Sequence, residues 1–214
     1  MIVGVCGFIG AGKDTVADYL VNIHEFRRDS FASTLKDAVA SVFGWDRVML
    51  EGRTRQAREW REQVDTWWAR RLGMPGLTPR LVLQLWGTEV CRRGFHDDIW
   101  IASIENKLRS SHDDVVISDC RFPNEIASIK RAGGKIIWVR RGALPNWYDI
   151  AVRANQGDTE SALELSQANI HVSETAWVGT DFDAIFDNNS SLDSLYDQIN
   201  NLVLDLRVAR AIPA

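Results

Sequence analysis

Cysteine is scarce and poorly placed for cross-linking. The three, Cys6, Cys91 and Cys120, are an odd number, lie far apart and show no Cys-x-x-Cys or Cys/His ligand spacing. Neither a disulfide frame nor a zinc site is indicated, and free thiols are expected. Long hydrophobic runs are missing too. Stretches such as Ile136-Ile137-Trp138-Val139 end after a few residues, far short of the roughly 20 that a membrane helix needs. Positive charge is not in excess, since 25 Lys plus Arg stand against 29 Asp plus Glu, a formal net of −4. That balance argues against direct nucleic-acid binding and leaves room only for a local basic pocket. The opening Met-Ile-Val-Gly-Val-Cys-Gly has no basic segment followed by an apolar stretch, so no signal peptide is read and a cytoplasmic location is expected. No internal repeat or low-complexity tract is visible.

What remains is a chain of 214 residues with 45% hydrophobic and 25% charged residues. That length buries a substantial core, most simply as one domain with insertions. Tryptophan is abundant, with nine against eight Phe and three Tyr. Such rings either fill cores or stack on planar ligands.

Strand and helix patterns alternate. Apolar runs at Ile2–Cys6, Val115–Ser118, Lys135–Val139 and Ala184–Phe186 read as strands, with a weaker one at Phe26–Phe31. Helical spacing marks Lys13–Val21, Lys36–Phe43, Thr78 to about Arg92, Ile99–Arg109, Pro123–Ala132 and Leu192–Leu206. Arg53–Leu72 is polar and rich in Arg and Trp, with Arg55, Arg58 and Arg61 spaced to share a helical face, where Glu59 and Glu62 can pair with them. Gly142–Gln167 is polar, weakly patterned and reads as an inserted flap. The alternation predicts an α/β fold, a doubly wound parallel five-stranded sheet.

The sharpest motif is Gly7-Phe8-Ile9-Gly10-Ala11-Gly12-Lys13-Asp14-Thr15, which has GxxxxGK spacing directly after a strand and before a helix. That context lets backbone N–H groups and a helix N-terminus cradle phosphates, with Lys13 as a point charge. Gly10, Ala11, Gly12, Lys13, Asp14 and Thr15 are the candidate nucleotide-binding residues. The motif's usual Ser or Thr is here Asp14, which makes Thr15 the candidate magnesium hydroxyl. The plainer alternative is a glycine-rich turn without a ligand.

A second polar cluster, Ser118 to Glu125, follows the Val115–Ile117 run. Strand ends of an open α/β sheet line the ligand crevice. Asp119 can hold magnesium or accept hydrogen bonds there, and Arg121 can bridge phosphates. Glu125 can pair with Arg121, or can simply cap the following helix.

Together these pieces resemble the deoxynucleoside monophosphate kinases of tailed bacteriophages. The resemblance is carried by Gly12-Lys13-Asp14-Thr15, Ser30-Phe31-Ala32 with Leu35-Lys36-Asp37-Ala38, Pro79-Arg80 with Gln84, and Gly87-Thr88-Glu89 with Asp98-Ile99-Trp100. Asp119-Cys120-Arg121-Phe122-Pro123-Asn124-Glu125, His171-Val172-Ser173-Glu174 and Asn188-Asn189-Ser190-Ser191-Leu192 complete it. It implies ATP-dependent phosphorylation of a deoxynucleoside monophosphate with Mg2+, in a P-loop kinase core at about 1–35, 112–141 and 180–214. An acceptor-binding helical region at about 36–111 and a lid at about 142–179 are implied with it. It places Lys36, Arg80, Gly87, Thr88, Trp100, Asp119, Arg121 and Glu174 at the acceptor, and Asn188 near the ATP adenine. It assigns Lys13, Arg121 and either Arg140 or Arg141, with Arg141 preferred, to the transferring phosphoryl group, and Thr15 and Asp119 to the metal. Some members carry a basic residue inside the loop where this chain has Ile9. Two other functions share the loop: a different small-molecule kinase such as a dephospho-coenzyme A kinase, and a non-enzymatic nucleotide switch. A homodimer is left open.

Overall fold

The computed structural model describes residues 1–111, 113–168 and 170–211. The five expected strands are all present: β1 (Ile2–Cys6), β2 (Arg27–Asp29), β3 (Val115–Ile117), β4 (Lys135–Arg140) and β5 (Ala184–Asp187). They form one parallel sheet in the order β2-β3-β1-β4-β5. Ile2 pairs with Val115 and Val3 with Lys135, so β1 sits at the centre with β3 and β4 on either side. The buried runs Val3–Cys6 and Val115–Ile117 are apolar because a central parallel strand is covered on both faces. The doubly wound α/β class read from the sequence is therefore correct.

Two compact units divide the chain. One comprises Met1–Ser30 with Lys107–Ala214, and the other Phe31–Asn106. The first holds the whole sheet, with α1 (Lys13–His24) and α12 (Leu192–Ala211) against it. Its core gathers Val3, Val5, Val16, Leu20, Ile137, Val139, Leu195 and Ile199. The apolar spacing of α12 explains its seating, since Leu195, Ile199 and Val203 recur every fourth residue and are buried.

The second unit is helical: α2 (Ser33–Phe43), α3 (Arg47–Glu51), α4 (Arg55–Arg61), α5 (Thr66–Leu72) and α6 (Pro79–Gln84), with α7 (Ile99–Ser110) beginning in it. Short helices persist because their ends are capped. Asp46, Thr54, Asp65 and Thr78 each accept backbone N–H groups of the first turn, and α2, α3 and α5 end at Gly44, Gly52 and Gly73 in the left-handed conformation. The polar stretch from Arg53 is thus two helices, broken where Asp65 caps α5 and also accepts from Trp45 Nε1 at 2.8 Å. The helix expected from Thr78 to about Arg92 changes pitch, because Leu85–Arg93 is wound as a π-helix.

The chain from 142 to 167 is more regular than its polarity suggested. It forms α9 (Tyr148–Asn155) and α10 (Thr159–Gln167), which follow α8 (Pro123–Arg131) and precede α11 (Val172–Thr175). Among the described residues, no helix is long and apolar enough to cross a membrane.

Candidate active site

The carboxyl end of β1 runs directly into the glycine loop, and α1 begins at Lys13. Two glycines are required there by contact as well as conformation. Gly7 has φ 153°, and a Cβ would come within 2.7 Å of Val139 O. Gly12 has φ 105°, and a Cβ would fall on the Asn188 amide. That amide donates to Ala11 O at 2.8 Å, while Asn188 N bonds Arg140 O at 2.8 Å. Asn188 is buried and braces the loop from the end of β5.

Lys13 Nζ donates to Gly7 O at 2.7 Å and to Phe8 O at 2.9 Å. Burial, and next the nearby Arg121 cation, push its pKa below the usual lysine value, while Glu174 and Asp14 oppose the shift. The loop lysine, Arg121 and Glu174, distant in sequence, therefore share one electrostatic neighbourhood. Arg121 Nη1 donates to Glu174 Oε1 at 3.0 Å and to Ser173 Oγ at 3.3 Å. Two cations beyond the carboxyl ends of neighbouring strands, one of them paired with a carboxylate, suit a polyanion such as a triphosphate.

Glu125 does not take the Arg121 guanidinium. Its carboxylate accepts the backbone N–H groups of Arg121, at 2.9 Å, and Phe122, at 3.2 Å. It is buried at the start of α8, where it satisfies otherwise orphaned donors, so the capping alternative is the correct one. Asp119 and Thr15 are half-buried at their segment ends, Asp14 is exposed, and the backbone at Gly10 is open on its Cβ side. Arg140 pairs with Asp187 at 3.1 Å. Arg141 is exposed beside Gly142.

In the helical unit, Lys36 Nζ pairs with Glu51 at 2.9 Å and Arg80 with Glu62 at 3.3 Å. Gly87 is buried and Thr88 exposed within the π-helix. Trp100, placed at the acceptor by the resemblance, is packed as a core residue. It is 8% exposed within the apolar cluster, and its indole N–H donates to Gly87 O at 3.0 Å. Arg61, the last of the Arg55, Arg58 and Arg61 stripe, is half-buried.

Two residues at the phosphate loop were not singled out from sequence. Arg28, the middle residue of β2, bonds Asp14, Asp18 at 2.7 Å and Ser118 Oγ at 2.9 Å. It ties the first turns of α1 to the ends of two strands. Phe8, inside the loop, packs its ring edgewise on Trp147, with centroids 5.5 Å apart, and at a tilt on Trp177 at 4.8 Å. No local spacing advertises Arg28. An aromatic between two loop glycines was the available sign for Phe8.

Cys6 and Cys120 are buried and reduced, and burial, with the Cys6 sulfur next in importance, pushes the Cys120 thiol well above its usual pKa. Neither is poised as a nucleophile. Among the described residues, no three His, Cys, Asp or Glu side chains converge to hold a metal alone.

No family model matches the chain. Among solved structures it is similar to dephospho-CoA kinase from Campylobacter jejuni (16% identical, 98% of each chain, TM-score 0.49). It is also similar to shikimate kinase from Aquifex aeolicus (10% identical, all of each chain, TM-score 0.45). A protein of Acanthamoeba polyphaga mimivirus, provisionally named deoxynucleotide monophosphate kinase, is 29% identical over 95% of this chain and 96% of its own length. The deoxynucleoside-5'-monophosphate kinase of Escherichia phage T5 is 28% identical over 58% of this chain and 70% of its own. The resemblance drawn from the motifs is borne out by both, and a phosphotransferase, the enzyme class those motifs imply, is the class for which these relatives are named.

Proposed function

We propose that the protein transfers the terminal phosphoryl group of ATP to the 5'-phosphate of a deoxynucleoside monophosphate, giving the diphosphate and ADP. The observation that carries this reading is the convergence of Lys13 and Arg121 at the mouth of a phosphate loop whose relatives are named for that reaction.

Phosphoryl transfer asks a protein for alignment and positive charge more than for covalent chemistry. Lys13 leaves the Gly7 and Phe8 carbonyls and contacts the donor's terminal phosphates, while the N–H groups of Gly10 to Thr15 wrap them. Arg121 binds the phosphoryl group in transit, and Glu174 keeps that guanidinium aimed until it arrives. Arg141 covers the group from the start of the segment that follows β4. Lys36, Arg80, Gly87 and Thr88 contact the acceptor, with Trp100 acting through Gly87. The acceptor oxygen is already anionic near neutral pH, so no general base is needed. A magnesium ion fits this donor set, because it typically takes one or two protein ligands and otherwise phosphate oxygens and water. Thr15 and Asp119 would hold it, and it would supply neutralisation of the negative charge on the donor phosphates. The 142–179 segment serves as the lid that excludes water.

A coupled ADP-release assay across the four dNMPs, the matching ribonucleotides and dephospho-coenzyme A tests the reading. Turnover with at least one dNMP is expected. Turnover with dephospho-coenzyme A alone, or ADP release stimulated only by a protein partner, would replace it.

A further inference from the structure

Arg55 pairs with Glu59 at 2.6 Å, and Arg58 donates to Arg53 O at 2.8 Å. Arg61, at the end of α4, differs. Its Nε is shut away from solvent without a hydrogen-bond partner, and Nη1 reaches only Leu50 O at a long 3.5 Å. Among the described residues no carboxylate stands within ion-pair distance of it, and Nη2 makes no hydrogen bond. The two carboxylates in its field are engaged elsewhere: Glu51 holds Lys36 at 2.9 Å and Arg47 at 2.6 Å, and Glu62 holds Arg80. Burial, and next Arg80, push the Arg61 pKa down. The guanidinium is seated against Gly52, where any Cβ would fall on it. A half-buried cation without a counter-charge destabilises the free protein. Its presence is explained if an anion completes the site, since stability is commonly lost where binding needs an unsatisfied group.

We propose that Arg61 is an oxyanion ligand which, with Arg80 beside it, binds a phosphomonoester, namely the 5'-phosphate of the acceptor nucleotide. The naming of that ligand rests on the function proposed above, whereas the anion site does not. The guanidinium fork matches two phosphate oxygens. Arg80 is half exposed in a long pair with Glu62 and is readily drawn to a stronger anion.

The test is thermal melting of the full chain in a Lys13→Ala background, which silences the phosphate loop, with inorganic phosphate, each dNMP or the matching deoxynucleoside added. Arg61→Met is expected to melt higher than its parent without anion and to lose the phosphate- and dNMP-dependent rise in Tm. Deoxynucleosides should shift neither protein. In otherwise wild-type protein, Arg61→Met should raise KM for the dNMP roughly ten- to a hundredfold, with KM for ATP within about twofold. Arg61→Lys should recover part of the loss. An Arg61→Met protein that melts lower than its parent and keeps its phosphate response would make Arg61 a structural residue and overturn the inference. If Arg61→Met does not fold, Arg80→Met decides, because an undiminished phosphate response there overturns the paired site. An Arg61-dependent phosphate shift in a protein that phosphorylates no dNMP leaves the anion site standing and removes only the proposed function.

Discussion

Lys13 carries the sharpest consequences at the scale of single residues. Its ammonium is half enclosed and bonds two loop carbonyls, so Lys13→Ala deletes charge without opening a core. Turnover should fall by roughly a hundredfold or more, while the circular dichroism spectrum stays that of the parent. Its pKa is lowered by burial and by Arg121. The cationic form that contacts phosphate is then lost at lower pH than for an ordinary lysine, and kcat/KM for ATP should decline on the alkaline side accordingly. Arg121→Gln removes the repulsive neighbour, so its residual activity should keep its alkaline limb to higher pH, and an unmoved limb would detach the limb from Lys13. The loop and the Asp119–Arg121 strand end stand out in the sequence because glycine spacing and strand-end polarity are local signals, whereas Glu174 enters only through the resemblance. Arg28 does not stand out, since its partners at 14, 18 and 118 meet it only through the strand order β2-β3-β1. Glu125 admits two local readings, and the direction of its carboxylate toward the backbone N–H groups of Arg121 and Phe122, set by the fold, selects the cap.

At the scale of elements, the π-helix of Leu85–Arg93 depends on a neighbour. Gly87 is buried so closely that a Cβ would press on Leu35 Cδ2 at 2.9 Å, and its carbonyl takes the Trp100 indole N–H. Trp100→Phe removes that side-chain hydrogen bond and should lower stability by about 0.5–1.5 kcal/mol in urea unfolding. The ring is buried, so a dNMP base is not expected to stack on it, and any change in tryptophan emission on adding dNMP should survive Trp100→Phe. The α2–α3 junction gives an acid signature. Burial would raise the Glu51 pKa, but hydrogen bonds from Arg47 and Lys36 outweigh it and hold the carboxyl at about 2, against 4.5 when free. Its contribution to stability is complete above about 4.5 and disappears as pH falls toward 2. Glu51→Gln should flatten that part of the stability–pH curve, measured by chemical unfolding at several pH values. The strands were readable because buried parallel strands are continuous apolar runs. The helices α9 and α10 were not, because each buries little more than one small residue, Ala151 or Ser161, and shows no broad apolar stripe.

For the whole molecule, the division of apolar residues matters most. The sheet unit has its own core around Val5 and Leu195, and the helical unit has another around Leu50 and Leu77. Trp45, Trp60, Trp67, Trp68, Trp86 and Trp100 belong to the helical unit, and Trp138, Trp147 and Trp177 to the sheet unit. Tryptophan emission therefore weights the helical core. Leu50 is fully buried, and Leu50→Ala should cost about 2–5 kcal/mol. In that variant, emission should change at lower urea than amide-exchange protection in β1 is lost. Coincident transitions would show that the two cores melt as one cooperative unit.

The Arg28 tie has a consequence in ionic strength. Its partners Asp14 and Asp18 are largely exposed, with side chains 83% and 58% accessible. Charges so placed are screened within a few ångströms in molar salt. Concentrated salt thus reaches the phosphate loop twice, by shielding Lys13 from an incoming anion and by slackening the clamp that holds the first turns of α1 to the strand ends. Asp18→Asn cuts one arm of that clamp and leaves the Lys13 surroundings as they are, so the loss of nucleotide affinity per decade of salt should be shallower in that variant than in the parent.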